Sequence, residues 1–141
     1  MNGAASGDNG LDLAGLAARE GVADLVTFSG PVPAPALAAQ FRAADVVAMP
    51  SASETYGLVA LEAQACGTPV LAHRVGGLVY AVLDGVSGRH VTAGTPEAWA
   101  DALAEILADR DAWAALGPGA VRHAAGHSWE AYADGLLEAV A

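Results

Sequence analysis

The sequence contains no lysine and only one cysteine, and both scarcities exclude classes of protein. All six basic residues are arginines, and they stand against sixteen acidic residues, for a net charge of −10. Such a charge opposes binding to the phosphates of nucleic acid and to anionic membrane surfaces. Because Cys66 has no second cysteine to pair with, no internal disulfide can form, as expected of a protein from a reducing compartment.

Long apolar runs are also missing. No stretch offers the ~20 consecutive apolar residues that a membrane-spanning helix requires. Pro31, Pro33 and Pro35 interrupt the most apolar candidate, and the N-terminus has neither a basic start nor an apolar signal core. We therefore expect a cytoplasmic protein without an integral membrane segment. The chain has 141 residues, 54% of them hydrophobic and 16% charged, which suits a single folded domain.

Short apolar runs alternate with helical periodicities along most of the chain. Strands are predicted at 25–28, 45–49, 70–72 and 89–91. Helices are predicted at 11–20, from 35 or 36 to 44, and at 57–66, 78–83, 96–108, 111–116, 120–125 and 128–140, with Gly117-Pro-Gly as an interruption. Strands that alternate with helices indicate an α/β fold with a Rossmann-like parallel sheet and flanking helices. We expect residues 1–10 to be flexible, 11–127 to form the domain and 128–141 to form a C-terminal helix.

The segment 50–62 carries the most chemical information. It follows the predicted strand 45–49 and opens the predicted helix 57–66, with Ser53 as the expected N-cap. A polar turn between a strand and a helix start favours an anion, because free N–H groups and the helix dipole both attract negative charge. Glu54 and Glu62 could then accept hydrogen bonds from sugar diols on either side of a phosphate. The alternative, which the spacing leaves open, is that Glu54 assists capping and Glu62 is a solvated helix residue.

Other candidate positions are less specific. Gly76 and Gly77 follow a predicted strand and could let the backbone approach a phosphate or sugar, although a plain tight turn is the alternative. His73 follows the same strand, near the expected site, and could touch a ligand, although such a residue is more often an ordinary histidine of a sheet edge. The segment Asp109-Arg-Asp111 matches a metal-binding D-x-D pattern, but its place at a helix junction favours a solvated cap. The histidines show no metal-ligand spacing, so we predict no metal site.

The motif Ser51-x-x-Glu54-x-Tyr-Gly-Leu-x-x-Leu-Glu62 resembles the E-x7-E signature of retaining GT-B glycosyltransferases of family four. The similarity continues through Val75-Gly-Gly77 and Asp84-Gly-Val-Ser-Gly88 and covers about residues 21 to 108. Within that family, the blocks after Glu62 and around Gly76 are most similar to the subfamily that transfers N-acetylglucosamine to inositol phosphate in mycothiol biosynthesis.

This resemblance implies that the chain is the C-terminal, donor-binding part of such an enzyme. Its substrate would be a nucleotide sugar, UDP-GlcNAc by the subfamily likeness, and it would need no metal and no further cofactor. Glu54 would be the catalytic-site residue, close to the anomeric carbon of the donor sugar, and Glu62 would hold the ribose hydroxyls. The remaining donor-binding positions would be the backbone of Tyr56, Gly57 and Leu58, the base-pocket loop Ser29-Gly30-Pro31, and Gly76 and Gly77.

The sequence also departs from the family. Relatives clamp the diphosphate with an arginine and a lysine on the first strand-loop of this domain, and this chain has no lysine. Positions 79 and 80 are Val-Tyr, where many relatives carry Pro-Glu. We therefore expect an incomplete sheet without its first two strands, a small acceptor such as inositol phosphate bound by a missing domain, and no activity of the chain alone. Exposed strand edges would then favour self-association.

Two further hypotheses remain open from the sequence. The chain could be a non-catalytic module that binds a sugar nucleotide or phosphate in the same pocket. It could also be a glycosidase with Glu54 and Glu62 as acid and nucleophile, which is less favoured because nothing in the sequence prepares either carboxyl group for the role of the acid.

Overall fold

The computed structural model describes residues 12–128, 130, 131, 133, 137 and 138. The chain divides into two compact units, Met1–Leu37 and Ala38–Ala141. Helix α2 (Ala34–Ala43) begins in the first unit and ends in the second. It starts one or two residues earlier than predicted, because the Pro33 carbonyl already accepts a hydrogen bond from the Leu37 N–H at 3.0 Å.

The first unit contains one predicted helix and lacks one predicted strand. Helix α1 (Leu13–Arg19) starts where Asp12 Oδ1 accepts a hydrogen bond from the Gly15 N–H at 2.9 Å. The strand predicted at 25–28 is wrong: a short 3₁₀ helix covers Ala23–Leu25 instead. The reason is local, because the N–H groups of Leu25 and Val26 donate to carbonyls three residues back and are not available to a ladder.

The second unit is built on three parallel strands in the order β1 (Val47–Met49), β2 (Val70–His73) and β3 (Gly88–Val91). Val47 lies opposite Val70, and Leu71 lies opposite Arg89. Helix α3 (Leu58–Ala65) connects β1 to β2, and helix α4 (Leu78–Ala81) connects β2 to β3. The predicted α/β class with a Rossmann-like parallel sheet is therefore confirmed. The carboxyl ends of all three strands meet at one edge of this sheet.

Helices α5 (Pro96–Ala108) and α6 (Arg110–Ala114) follow the sheet and begin with side-chain caps. Thr95 Oγ1 accepts a hydrogen bond from the Ala98 N–H at 3.4 Å, and Pro96 occupies the first turn, where a missing N–H costs nothing. Asp109 Oδ1 accepts a hydrogen bond from the Ala112 N–H at 3.0 Å. Asp109, the first residue of the D-x-D segment, is therefore a helix cap, as predicted in preference to a metal ligand.

The predicted interruption at Gly117-Pro-Gly is wrong, because helix α7 (Gly117–Ala125) begins with these residues. Pro118 lies in the first turn, which needs no N–H from it. A Cβ atom on Gly117 would lie 2.8 Å from the Gly67 carbonyl oxygen, and one on Gly119 would overlap the Val86 carbonyl oxygen. The glycines thus serve close packing of the helix against two loops rather than a break.

Both faces of the sheet are covered. Leu71 and Val91 form a buried cluster with Ile106 of α5 and Trp113 of α6. Val70 and Ala72 point to the opposite face, since side chains alternate along a strand, and they are also fully buried. None of the helices among the described residues is both long and apolar enough to span a membrane.

The predicted C-terminal helix is described only in part. Ser128 Oγ accepts a hydrogen bond from the Ala131 N–H at 3.2 Å, the contact expected of an N-cap. Residues 130, 131, 133, 137 and 138 are helical. The other positions of the predicted helix, Trp129 among them, and the predicted flexible segment 1–10 lie outside the described residues.

Candidate functional site

The loop that carries the predicted motif, Pro50–Gly57, leaves the carboxyl end of β1 and leads into α3. We call it the site loop. It ends at Gly57, which has φ +90° and ψ 36° and directly precedes the first helical residue, Leu58. A Cβ atom on Gly57 would lie 2.7 Å from the Cβ of Ala81 in α4. The start of α3 can therefore approach α4 this closely only with glycine at position 57.

The Glu54 carboxylate caps the start of α3. Its Oε1 accepts hydrogen bonds from the N–H groups of Tyr56 at 3.3 Å and Gly57 at 3.2 Å. The prediction of Ser53 as N-cap is wrong, because Gly57 directly precedes the first helical residue and occupies the N-cap position, four residues after Ser53. The capping alternative for Glu54 is thus present in the structure. The same two N–H groups are the ones that the motif predicts for a sugar or a diphosphate.

Gly76 and Gly77 pack directly against the site loop. The Gly77 N–H donates to the Glu54 carbonyl at 2.8 Å, and a Cβ atom on Gly77 would lie 2.6 Å from the Cα of Tyr56. A Cβ atom on Gly76 would overlap the Glu54 carbonyl oxygen. Because neither glycine has a side chain, the backbone of the site loop can pack directly against both. Contact of these glycines with a ligand stays a prediction.

His73, at the end of β2, contacts the other end of the site loop. Its Nδ1 lies 2.9 Å from the carbonyl oxygen of Ser51. On its far side the ring lies against the loop after β3, where a Cβ atom on Gly94 would be 3.3 Å from Cε1 of His73. The sequence places His73 only after a strand near the expected site. Its contact with Ser51 could not be predicted, because the two residues are 22 positions apart in the chain.

Glu62 lies on the exposed face of α3. Leu58, Glu62 and Ala65 are spaced by four and three residues, share one side of the helix and are all exposed. The opposite side carries Ala60 and Gln64, which are buried. Within the described part of the chain, the Glu62 carboxylate makes no hydrogen bond or ion pair. It is therefore available to a ligand, as the motif predicts, and it is equally what a solvated helix residue would look like.

Gln64 is a buried polar residue that the sequence reasoning missed. Its Nε2 donates to the Ala60 carbonyl at 3.1 Å and to the Ala81 carbonyl at 2.7 Å, which ties α3 to α4 just behind the site loop. Its Oε1 is buried without a hydrogen-bond partner among the described residues. One glutamine among the apolar positions of Leu61 to Ala65 was the signal that could have revealed it.

The loop Ser29-Gly30-Pro31 belongs to the first unit. Ser29 is half-buried, and Gly30 and Pro31 are exposed. Its assignment to the base pocket stays a prediction.

His123 and His127 lie away from the site loop and make contacts within the fold. Nε2 of His123 in α7 lies 3.1 Å from the Tyr80 carbonyl oxygen, and its ring contacts that of His127 with centroids 4.6 Å apart. Burial, and then the neighbouring His127, lower the pKa of His123 below its usual value. Among the described residues, no three His, Cys, Asp or Glu side chains group closely enough to hold a metal ion.

Comparison with known proteins decides the family. The sequence profile of the family described as "Glycosyl transferases group 1" matches residues 4–123. The chain belongs to this glycosyltransferase family. The resemblance inferred from the E-x7-E motif is thereby confirmed.

Several relatives of this glycosyltransferase domain are named D-inositol 3-phosphate glycosyltransferase. The D-inositol 3-phosphate glycosyltransferase of Thermobispora bispora is 56% identical over 126 residues, which is 89% of this chain and 29% of the relative. That of Nocardia farcinica is 54% identical over 123 residues, or 87% of this chain and 27% of the relative. The chain thus spans under a third of the length of these relatives.

Solved structures agree with this assignment. Sucrose-phosphate synthase from Thermosynechococcus elongatus superposes with a TM-score of 0.82 at 38% identity, covering 89% of this chain and 32% of that one. HepE from Anabaena, in complex with UDP and glucose, superposes with a TM-score of 0.74 at 31% identity, covering 80% of this chain and 30% of that one. The α/β sheet of this chain is therefore the sheet of a GT-B glycosyltransferase domain.

Proposed function

We propose that this chain is the donor-binding part of a retaining glycosyltransferase, which transfers a sugar from a nucleotide to a small hydroxylated acceptor. The observation that carries the proposal is the site loop at the carboxyl edge of the parallel sheet, the edge at which α/β proteins bind ligands. This loop places the Glu54 carboxylate beside the N–H groups of Tyr56 and Gly57. Glu62, which makes no hydrogen bond or ion pair among the described residues, follows on the exposed face of α3.

Donor binding requires the Glu54 carboxylate to give up its two N–H partners. Because Tyr56 and Gly57 now donate to that carboxylate, an arriving diphosphate or sugar oxygen would take its place. Glu54 would then accept hydrogen bonds from hydroxyls of the donor sugar near the anomeric carbon. The positive end of the α3 dipole would stabilise the charge that develops on the diphosphate leaving group. The backbone of Leu58, the first helical residue, would complete this contact.

Glu62 would hold the ribose of the donor. A carboxylate accepts hydrogen bonds from both hydroxyls of a vicinal diol, and Glu62 has no competing partner among the described residues. The Ser29-Gly30-Pro31 loop would line the pocket for the base. Gly76 and Gly77 would let the backbone beside the site loop come close to a phosphate or sugar.

The substrates are inferred from the relatives. HepE binds UDP and UDP-glucose, which supports a uridine nucleotide as the carrier. Relatives named D-inositol 3-phosphate glycosyltransferase support inositol phosphate as the acceptor. The donor sugar would be N-acetylglucosamine, by the subfamily resemblance of the motifs, with no metal or other cofactor required. A cytoplasmic location, where nucleotide sugars are available, also stays part of this proposal.

Titration calorimetry with UDP-GlcNAc and UDP tests the donor site. We expect Glu62→Ala to weaken the binding of both ligands about tenfold or more, since hydrogen bonds to a charged group are lost. Glu97→Ala, which removes an exposed glutamate from the first turn of α5, is the matched control and should bind as the native chain does. Equal affinities of Glu62→Ala and the native chain, or no binding of either ligand to the native chain, would overturn the proposal.

A binding module without transfer is the second candidate function. It is compatible with the same observation, the N–H groups of Tyr56 and Gly57 beside the Glu54 carboxylate, because binding there does not require transfer. Both candidates predict donor binding, and they differ in turnover. Transfer of labelled sugar from UDP-GlcNAc to inositol phosphate by the purified chain would exclude the module. The glycosidase hypothesis is set aside because the family is one of glycosyltransferases.

A further inference from the structure

Two hydrogen bonds connect the segment His73–Gly77 to the site loop. One joins Nδ1 of His73 to the Ser51 carbonyl oxygen at 2.9 Å. The other joins the Gly77 N–H to the Glu54 carbonyl oxygen at 2.8 Å. The two carbonyl groups are three residues apart, and the Glu54 side chain leaves the backbone at the second of them. The backbone of this four-residue stretch is therefore held at both ends.

His73 is held in place for this contact. Its backbone belongs to β2, where it lies opposite Val91 of β3. Its ring is partly buried and lies against Gly94, where a Cβ atom would be 3.3 Å from Cε1 and 3.4 Å from Nε2. Since a carbonyl oxygen can only accept, Nδ1 of His73 carries the hydrogen and donates to Ser51. A rigid strand end thus supports a loop that has no ladder partners of its own among the described residues.

We propose that His73 is a positioning residue of the donor site, which acts by holding the backbone of the site loop, and with it the N–H groups of Tyr56 and Gly57, in the conformation to which a donor would bind. The importance of this conformation rests on the proposed function. The placement of the loop by His73 can be tested without any ligand.

The first test compares His73→Leu with His73→Asn in the full chain by amide hydrogen exchange and NMR. Loss of one hydrogen bond should speed exchange of the Gly77 amide about fivefold relative to amides of β2. The amide chemical shift of Gly57 should move as its contact with Glu54 loosens. Asparagine can present an amide N–H near the position of Nδ1, so His73→Asn should restore both signals. Failure of His73→Asn to restore them would overturn the proposal.

His123→Leu is the matched control. It removes another histidine–carbonyl contact, the one between Nε2 of His123 and the Tyr80 carbonyl at 3.1 Å, and so lowers stability without touching the site loop. Exchange of the Gly77 amide relative to the sheet should then stay as in the native chain. If His73→Leu and His123→Leu change that ratio equally, His73 only contributes to stability and the positioning role is refuted.

The second test measures the affinity for UDP-GlcNAc. We expect His73→Leu to bind about fivefold more weakly than the native chain, in line with one lost hydrogen bond, and His73→Asn to recover. Unchanged affinity of His73→Leu would overturn the role in the donor site. If the native chain itself binds no UDP-GlcNAc, the proposed function fails, while the exchange experiment still decides whether His73 holds the loop.

Discussion

Gly57 has a left-handed backbone and a close contact with α4. Comparison with a second left-handed glycine that lacks such a contact separates the two effects on stability. Gly57→Ala would strain the backbone at φ +90° and place a methyl group 2.7 Å from the Cβ of Ala81. We expect this variant to lose about 3 kcal/mol of unfolding free energy in urea titration. Gly85 has φ +73° with nothing within 4 Å of the added Cβ, so Gly85→Ala should lose only about 1 kcal/mol. Equal losses would show that α3 does not need this approach to α4.

Gln64 offers a second prediction at the scale of one residue. In Gln64→Glu, an ionised carboxylate would face the carbonyl oxygens of Ala60 and Ala81 with no hydrogen to donate. Folding would raise the pKa of the new glutamate, so stability should fall as the pH rises through its unfolded value. We expect a loss of about 3 kcal/mol at pH 7 and partial recovery near pH 5. Gln40→Glu, at an exposed position of α2, should change stability little at either pH.

Single residues also show what the sequence could and could not reveal. Glu54 and Glu62 were recognisable because their spacing across a strand–helix junction belongs to a motif. The contact of Glu54 with its own loop could be foreseen only as an alternative, since capping and ligand binding need the same carboxylate. His73 and Gln64 could not be assigned, because their partners lie in other elements and are brought near only by folding.

At the scale of elements, predictions succeeded where local signals and tertiary packing agree. The start of α5 could be predicted from Thr95 and Pro96, because a capping side chain and a proline in the first turn act on neighbouring residues only. The strand predicted at 25–28 is wrong, because the N–H groups of Leu25 and Val26 already donate within a turn and cannot pair with a neighbouring strand. The sequence predicts that Gly117 and Gly119 interrupt a helix. In the structure they instead allow the helix to pack against carbonyl groups of two other loops.

Acid should lower the stability of the fold through His123, the residue that joins α7 to α4. Burial and His127 lower the pKa of His123, so the unfolded chain binds a proton more readily than the folded one. Stability should therefore fall as the pH drops below about 6.5, the ordinary value for histidine, toward the lower value in the fold. His123→Gln can keep an N–H donor for the Tyr80 carbonyl but cannot titrate. We expect the loss of melting temperature between pH 7.5 and 5.5 to be smaller in this variant, and an equal loss would contradict the assignment.

At the scale of the whole molecule, the sheet raises the question of its edges. Among the described residues, β1 pairs only with β2, so its other side has no described ladder partner. The outer side of β3 is partly occupied, because the Gly88 carbonyl accepts a hydrogen bond from the Gly85 N–H at 2.8 Å and Asp84 Oδ1 accepts one from the His90 N–H at 2.9 Å. Unpaired strand edges bind other strands, including those of a second copy. The net charge of −10 acts in the opposite direction, because like-charged copies repel each other. Which effect dominates depends on the ionic strength.

We expect sedimentation equilibrium to show self-association that strengthens as salt screens this repulsion, with a Debye length of about 10 Å at 0.1 M and about 3 Å at 1 M. Ala48 is exposed in the middle of β1, and Ala48→Lys would place a charge along that edge, which blocks strand pairing. Ala100→Lys makes the same change on the exposed side of α5, so it reduces the net charge equally without touching the edge. If β1 mediates association, only Ala48→Lys should remain monomeric at high salt. A native chain that stays monomeric at every salt concentration would show instead that neither edge is available to a second copy.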